Sequence, residues 1–190
     1  MGDIVVSEFI TLDGVMQDPG GADTFDRGGW AFQFDRGPEG NKFKFDEVMA
    51  AGALQLGRLT YEGFAKAWPS VQDDSGFAEK LNTMPKYVVS TTIENAGWAN
   101  TTVIRGNVVE AVTALKQDVN GDVVVNGSAQ LVRTLIEHDL VDEYRLMVYP
   151  IVLGAGTALF PAADAPSKLR LVEARKAGDT AILVYHPVRP

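Results

Sequence analysis

The chain of 190 residues contains no cysteine. That excludes disulfides, zinc–thiolate sites and thiol nucleophiles, and it is compatible with a reducing compartment. Histidine is nearly absent too: His138 and His186 are the full complement, too few and too isolated for a nucleophilic triad or an imidazole metal set. No metal is therefore expected. No apolar run approaches the ~20 residues that span a bilayer. The opening segment carries Asp3, Glu8 and Asp13 without a basic stretch, so it does not read as a signal peptide. Basic residues number 17 against 25 acidic ones, for a formal net charge of -8, and no segment concentrates Lys and Arg. Nucleic acid and membrane are thus not expected partners, and a soluble, cytoplasmic protein is the expectation.

What is present is a composition 46% hydrophobic and 22% charged, which reads as one compact domain over residues 1–190 with a sizeable core. Ile4 to Ile10 reads as an opening strand, ended by the turn Thr11-Leu12-Asp13-Gly14. Met16 to about Gly40 is a long connection rich in glycine and proline that carries Trp30, Phe32 and Phe34. Such a connection is either a lid or substrate loop, or a surface loop with its aromatics tucked onto the core. Asn41 to Ala53 has helical spacing, Ala53 to Leu56 is a short buried strand ending at Gly57, and Thr60 to Trp68 is a helix stopped by Pro69. Phe77 to Asn82 is a short helix, Lys86 to Thr92 and Thr102 to Arg105 are strands, and Val108 to Gln117 is a helix. Glu143 to Tyr149 is a long strand. Leu169 to Ala174 and Thr180 to Tyr185 form a hairpin around Ala177-Gly178-Asp179. Strands first alternate with helices and then run together. That order predicts an α/β sandwich with a mainly parallel sheet and an antiparallel C-terminal hairpin.

The stretch Asp122-Val123-Val124-Val125-Asn126-Gly127-Ser128-Ala129-Gln130-Leu131-Val132 turns from a β-branched run into an amphipathic helix at a single glycine. Gly127 permits close backbone approach, Ser128 is placed to cap, and the free N–H groups of the first turn suit a phosphate or pyrophosphate. The plain alternative is an ordinary strand-to-helix turn. Leu56-Gly57-Arg58-Leu59-Thr60 offers a second such terminus, with Arg58 to fork onto a phosphate and Thr60 to cap, or else a surface arginine beside an ordinary cap. Ser90 and Thr91 end a strand where open sheets bind ligands, although hydroxyls there also serve as turn formers. Gly154-Ala155-Gly156 is not followed by a helix, so it fails as a dinucleotide fingerprint and reads as a tight turn lying close to a ligand or another strand. Asp13 is either an Asp-Gly turn residue or a carboxylate for substrate binding and proton delivery. The acidic pairs Asp46-Glu47, Asp73-Asp74 and Asp142-Glu143 read as solvated or capping.

Taken in order, Thr11-Leu12-Asp13-Gly14, Leu56 to Glu62, Val89-Ser90-Thr91, Asn126-Gly127-Ser128, and Leu140 to Glu143 with Pro150 to Gly156 resemble the dihydrofolate-reductase-like family. The similarity runs in particular to its RibD C-terminal domain branch, the reductase of riboflavin synthesis, and covers nearly the whole chain. The resemblance implies a three-layer α-β-α sandwich of dihydrofolate-reductase-like type. It also implies a homodimer formed through the later strands, and an NADPH-dependent reductase of a small heterocycle, like 5-amino-6-(5-phosphoribosylamino)uracil reductase. Gly57, Arg58, Thr60, Ser90 and Thr91 would bind cofactor phosphates, with Arg58 and Ser90 near the ribose 2′-phosphate, and Gly127, Ser128, Ala129 and Gln130 would cradle the pyrophosphate. Asp13 would match the family's acidic residue near the nicotinamide, with Thr11 in place of the motif's serine. Gly14, Trp30, Tyr149, Pro150, Ile151 and Gly154 would border the substrate.

Two departures bear on the substrate. True dihydrofolate reductases carry a pterin-binding carboxylate where the count back from Gly57 reaches Asn41, which weighs against folate unless Glu39 or Asp46 substitutes. The zinc deaminase domain that usually precedes the RibD reductase is not in this sequence, and Arg27 and Arg36 are the candidates for a substrate phosphate. A nucleotide-binding module without turnover is the alternative from a different class.

Overall fold

The computed structural model describes residues 2–162 and 165–189. Strand β1 (Ile4–Thr11) is buried along nearly its whole length and lies inside an eight-stranded sheet of order β4-β3-β2-β5-β1-β6-β8-β7. The other strands are β2 (Ala53–Gly57), β3 (Lys86–Val89), β4 (Thr101–Ile104), β5 (Val123–Val125), β6 (Glu143–Tyr149), β7 (Leu169–Ala177) and β8 (Thr180–Pro187). The six strands from β4 to β6 pair in parallel, whereas β8 runs antiparallel to β6 and β7 antiparallel to β8. This is the mainly parallel sheet with a terminal hairpin that the order of elements implies.

Side chains alternate across the sheet with period two, and both faces are covered. Val123 and Val125 join Ile4, Val6 and Leu146 beneath helices α4 (Val108–Asp118) and α5 (Ala129–Glu137). Val124 joins Val5, Leu54 and Leu56 on the opposite face, where α1 (Gly37–Ala50), α2 (Arg58–Ala67) and α3 (Phe77–Thr83) lie. A third cluster gathers Trp30, Met147, Tyr149 and Ile182. The long connection after β1 is thus tied to the core through its aromatics, although Phe32 stays exposed.

Several boundaries differ from the sequence expectation, each for a local reason. Helix α1 begins at Gly37 rather than Asn41, because Asp35 accepts the Gly37 N–H at 2.7 Å and Pro38 sits in the first turn. It ends at Ala50, since Gly52 donates its N–H to Asp122 O and enters the sheet. Strand β3 stops at Val89 rather than Thr92, where the Ser90 hydroxyl accepts the N–H groups of Thr92 and Ile93 and turns the chain. The hairpin closes as expected: Ala177 pairs with Thr180 and Gly178 adopts φ +56.

Candidate active site

Because β1, β2, β3, β5 and β6 are parallel, their carboxyl ends share one edge of the sheet. β2 and β5 are neighbours, so the turns that follow them meet. The Gly57 N–H donates to Ser128 Oγ at 2.8 Å, the Ser128 N–H donates to Thr60 Oγ1 at 3.0 Å, and Ser128 Oγ donates to Asn126 O at 3.0 Å. Two segments nearly seventy residues apart are thereby locked into one edge.

This interlock corrects two sequence expectations. Thr60 does not cap α2: the N-cap position is Gly57, and the Thr60 hydroxyl faces the other turn. Ser128 occupies the N-cap position of α5 but makes no side-chain cap, since its hydroxyl is taken by Gly57 and its backbone is left-handed at φ 60. Both helices therefore start without a side-chain acceptor on their first-turn N–H groups. Such termini present partial positive charge to an anion. Gly127, at φ +55, is confined as well: a Cβ there would stand 2.8 Å from Thr60 Oγ1. Ala129 opens α5 and Gln130 is exposed on it. Arg58 is exposed and pairs with Glu62 at 3.0 Å, while Thr91 is exposed at the end of the adjacent strand and Ser90 is buried in its own turn.

Asp13 ends β1 as a clamp. Its carboxylate accepts the Thr11 hydroxyl at 2.5 Å, the Gly154 N–H at 2.7 Å and the Leu153 N–H at 3.2 Å. The Thr11 hydroxyl above all, then the Gly154 and Leu153 amides, holds the Asp13 carboxyl down at about 2. These contacts tie the carboxylate to the loop after β6, which it anchors through the Leu153 and Gly154 amides. Gly14 at φ +79 and Gly154 at φ +70 shape the same contact. Pro150 is exposed and Ile151 half-buried on this rim. The Gly154-Ala155-Gly156 turn does lie close to another segment, for a Cβ on Gly156 would meet Val15 Cγ1 at 2.8 Å.

Trp30 and Tyr149 do not border a cleft. Trp30 is fully buried, donates its indole N–H to Gln17 O at 2.9 Å, and packs edge-on against Tyr149 with ring centroids 5.3 Å apart. Tyr149 is itself 2% exposed. These two aromatics support the site from the core.

A cleft of about 580 Å³ opens instead between α1 and the segment from α2 to α3. Arg36, Lys42 and Lys44 bring three cations to it, with Asn41 beside them and Trp68 and Phe77 as apolar wall. Asn41 accepts from Arg36 Nε at 2.6 Å. Neither Glu39 nor Asp46 takes the place of a pterin carboxylate: both are exposed, and Asp46 pairs with Lys42 at 2.5 Å. Of the two arginine candidates, Arg36 lines the cleft and Arg27 donates to Leu153 O.

The floor beside this cleft holds residues that the sequence reading missed. Glu47, expected to be solvated, is 4% exposed and accepts from Ser7 Oγ at 2.9 Å and from Lys44 Nζ, with Arg145 Nη1 at 3.7 Å. Lys44 also donates to Ser7 Oγ at 2.7 Å, and the Asn126 side chain donates to Ser7 O at 2.7 Å. A short chain of contacts thus joins the cleft to the Gly127 turn. Glu8, next along β1, is 5% exposed and leaves its Oε1 without a hydrogen-bond partner. The available signal was the polar pair Ser7-Glu8 inside a strand whose central place calls for continuous apolar residues. Among the described residues no group of three or more His, Cys, Asp or Glu is arranged to hold a metal, and no helix is long and apolar enough to cross a membrane.

Comparison with known proteins bears on the family and the fold. The sequence pattern of the RibD C-terminal domain matches residues 3–183. The uncharacterized protein YyaP of Bacillus subtilis is 31% identical over 137 residues, covering 70% of this chain and 72% of that protein. A solved structure from Shewanella sp. PV-4, named for riboflavin biosynthesis, superposes over the whole of both chains with TM-score 0.77 at 18% identity. Dihydrofolate reductase from Enterococcus faecalis, solved with NADP(H), superposes over 99% of this chain and 98% of its own with TM-score 0.58 at 17% identity. The fold is dihydrofolate-reductase-like.

Proposed function

The chain belongs to the RibD C-terminal domain family, and from that premise we propose that it is an NADPH-dependent reductase of a small heterocyclic substrate, like 5-amino-6-(5-phosphoribosylamino)uracil reductase. The observation that carries this reading is the interlocked pair of uncapped helix N-termini at Gly57 and Ser128. These residues fit a dinucleotide: the uncapped first-turn N–H groups of Ala129 and Gln130 are open to the pyrophosphate, Gly127 and Ser128 form the turn that leads into them, and Gly57 and Thr60 hold that turn in place, Thr60 by accepting the Ser128 N–H. Arg58 and Thr91, exposed at the ends of neighbouring strands, take the ribose 2′-phosphate, with Ser90 shaping the turn between them.

NADPH, when bound, supplies the hydride; the protein supplies orientation and exclusion of water. Of the cations at the cleft Lys42 is paired with Asp46 and Lys44 with Glu47, and Asp73 also lines it, so Arg36 is the group suited to an anionic part of the substrate, while Asn41 supplies no carboxylate for a pterin. Asp13 acts on the rim by anchoring Leu153 and Gly154. A homodimer is part of the same proposal. Its support is the exposure of Leu171 and Val172 on the edge strand β7, together with an apolar groove of about 490 Å³ over β6 and β8 that includes Leu146, Leu183 and Phe160.

The test is a fluorescence titration with NADPH and NADH side by side. NADPH is expected to bind at least about tenfold more tightly, a difference of about 1.4 kcal/mol, and Arg58→Gln to erase most of that preference. Binding of neither nucleotide would overturn the reductase reading.

A further inference from the structure

Lys44 is the cation of the cleft whose donors are not all spent. An ammonium carries three N–H groups. One goes to Ser7 Oγ at 2.7 Å and one to Glu47 Oε1, and among the described residues the third has no partner. Ser7 and Glu47 are buried, while the Lys44 side chain is 15% exposed and lines the cleft. The two spent donors thus point into the protein, and the cleft is the open side of the third. Lys44 Nζ and Arg36 Cζ each lie 5.6 Å from the centroid of the Phe9 ring, which brings both cations to one end of the cleft, over the carboxyl half of β1. Asn41, one turn before Lys44 on α1, adds a further donor. A guanidinium cannot accept, so the Asn41 atom that meets Arg36 Nε at 2.6 Å is its oxygen, and the amide NH2 is left over. The nearby carboxylates do not offset this character. Asp46 pairs with Lys42, Asp73 takes the N–H groups of Ser75, Phe77 and Ala78, and Glu47 lies behind Lys44 with its Oε2 closed to solvent. The Phe9 end of the cleft therefore offers N–H donors and no open carboxylate.

We propose that Lys44, with Asn41 beside it, contacts the substrate and selects a heterocycle whose facing edge carries acceptors, a ring carbonyl or ring oxyanion, over one whose edge carries amino groups; this inference rests on the reductase reading and narrows its substrate class. A ring carbonyl accepts the third Lys44 N–H, a charge-assisted hydrogen bond in a partly desolvated place. An amino group in the same position meets donors alone and gives up its water without a partner, which is how a polar site rejects the wrong ring. Ser7 and Glu47 fix Lys44 Nζ, and Glu47 offsets its charge, so the lysine acts through the direction of its free N–H rather than as a general attraction for anions. Trp68 and Phe77 complete the cleft with apolar wall against which a ring can lie.

The experiment is a calorimetric titration of the NADP+-saturated protein with two probes of the same shape: orotate, a dioxopyrimidine carboxylate, and the matching diaminopyrimidine carboxylate. Both keep the same anionic group for Arg36. Orotate is expected to bind at least about tenfold more tightly. Lys44→Met is expected to bring the two affinities within about threefold of each other, and Asn41→Asp, which puts an acceptor where the donor was, to abolish or reverse the preference. Lys44→Met leaves Ser7 and Glu47 without their cation, so it can fold poorly; the wild-type comparison needs no variant, and Asn41 is exposed, so Asn41→Asp keeps the proposal testable. Equal binding of the two probes, tighter binding of the diamino ring, or binding of neither by a protein that does bind NADPH overturns the role of Lys44 and leaves the reductase reading standing. An orotate preference that survives in the folded variants overturns it as well. A wild type that binds neither NADPH nor NADP+ overturns the reductase reading, and the Lys44 role with it.

Discussion

Asp13 illustrates how a single residue changes meaning once its neighbours are known. In the sequence an Asp-Gly pair reads first as a turn and also as a carboxylate for catalysis, and the three donors that engage it come from Thr11 and from a loop 140 residues away. The Asp13 carboxyl is lowered from 3.8 to about 2, so the unfolded chain binds this proton more tightly than the folded protein. Stability tied to Asp13 is then fully present above 3.8 and is lost as pH falls toward about 2. The stability gap between the wild type and Asp13→Asn, read from urea midpoints by circular dichroism, is expected to narrow across that window; a gap that stays constant would detach Asp13 from the loop. Glu47 and Trp30 went astray for a related reason. An acidic residue on a helix and a tryptophan in a loop are usually exposed or functional, and what buries them is a serine on β1 for one and a tyrosine on β6 for the other.

At the scale of elements, the Gly57–Thr60 and Asn126–Gln130 turns act as one unit. Gly127→Ala forces a Cβ against Thr60 Oγ1 and a left-handed φ on a residue that disfavours it. The variant is expected to lose about 1–2 kcal/mol of stability by urea denaturation and at least about tenfold in NADPH affinity, with its circular dichroism spectrum unchanged; wild-type affinity in this variant would show that the interlock does not set the binding edge. The strands and helices themselves were largely legible, since β-branched runs and helical spacing are local properties. Their ends were less so. The start of α1 depends on Asp35, which accepts the Gly37 N–H, and the end of β3 on a serine hydroxyl that turns the chain. Ser128 was expected to cap its own helix, and its hydroxyl went to another strand because the two turns are adjacent in the sheet.

At the scale of the whole molecule, the edge of the sheet at β7 leaves Leu171 and Val172 about half exposed, an arrangement that monomers usually avoid. Light scattering is expected to give twice the chain mass of 20.5 kDa, and Leu171→Glu to return the protein to one chain. A 20.5 kDa species for the wild type at micromolar concentration would refute the dimer. The sequence by itself determined the layers: its alternation of strand and helix, followed by a terminal hairpin, leaves an α/β sandwich with a parallel core as the arrangement that buries both faces. It also marked the phosphate-suited turns, because glycine and hydroxyl residues act through their own backbone. Only the tertiary structure decided that β2 lies beside β5, that Trp30 and Tyr149 are core, and that Ser7, Lys44 and Glu47 meet beside the cleft. Strand order and burial arise from contacts between distant segments, and no local pattern of residues encodes which buried side chain a charge will face.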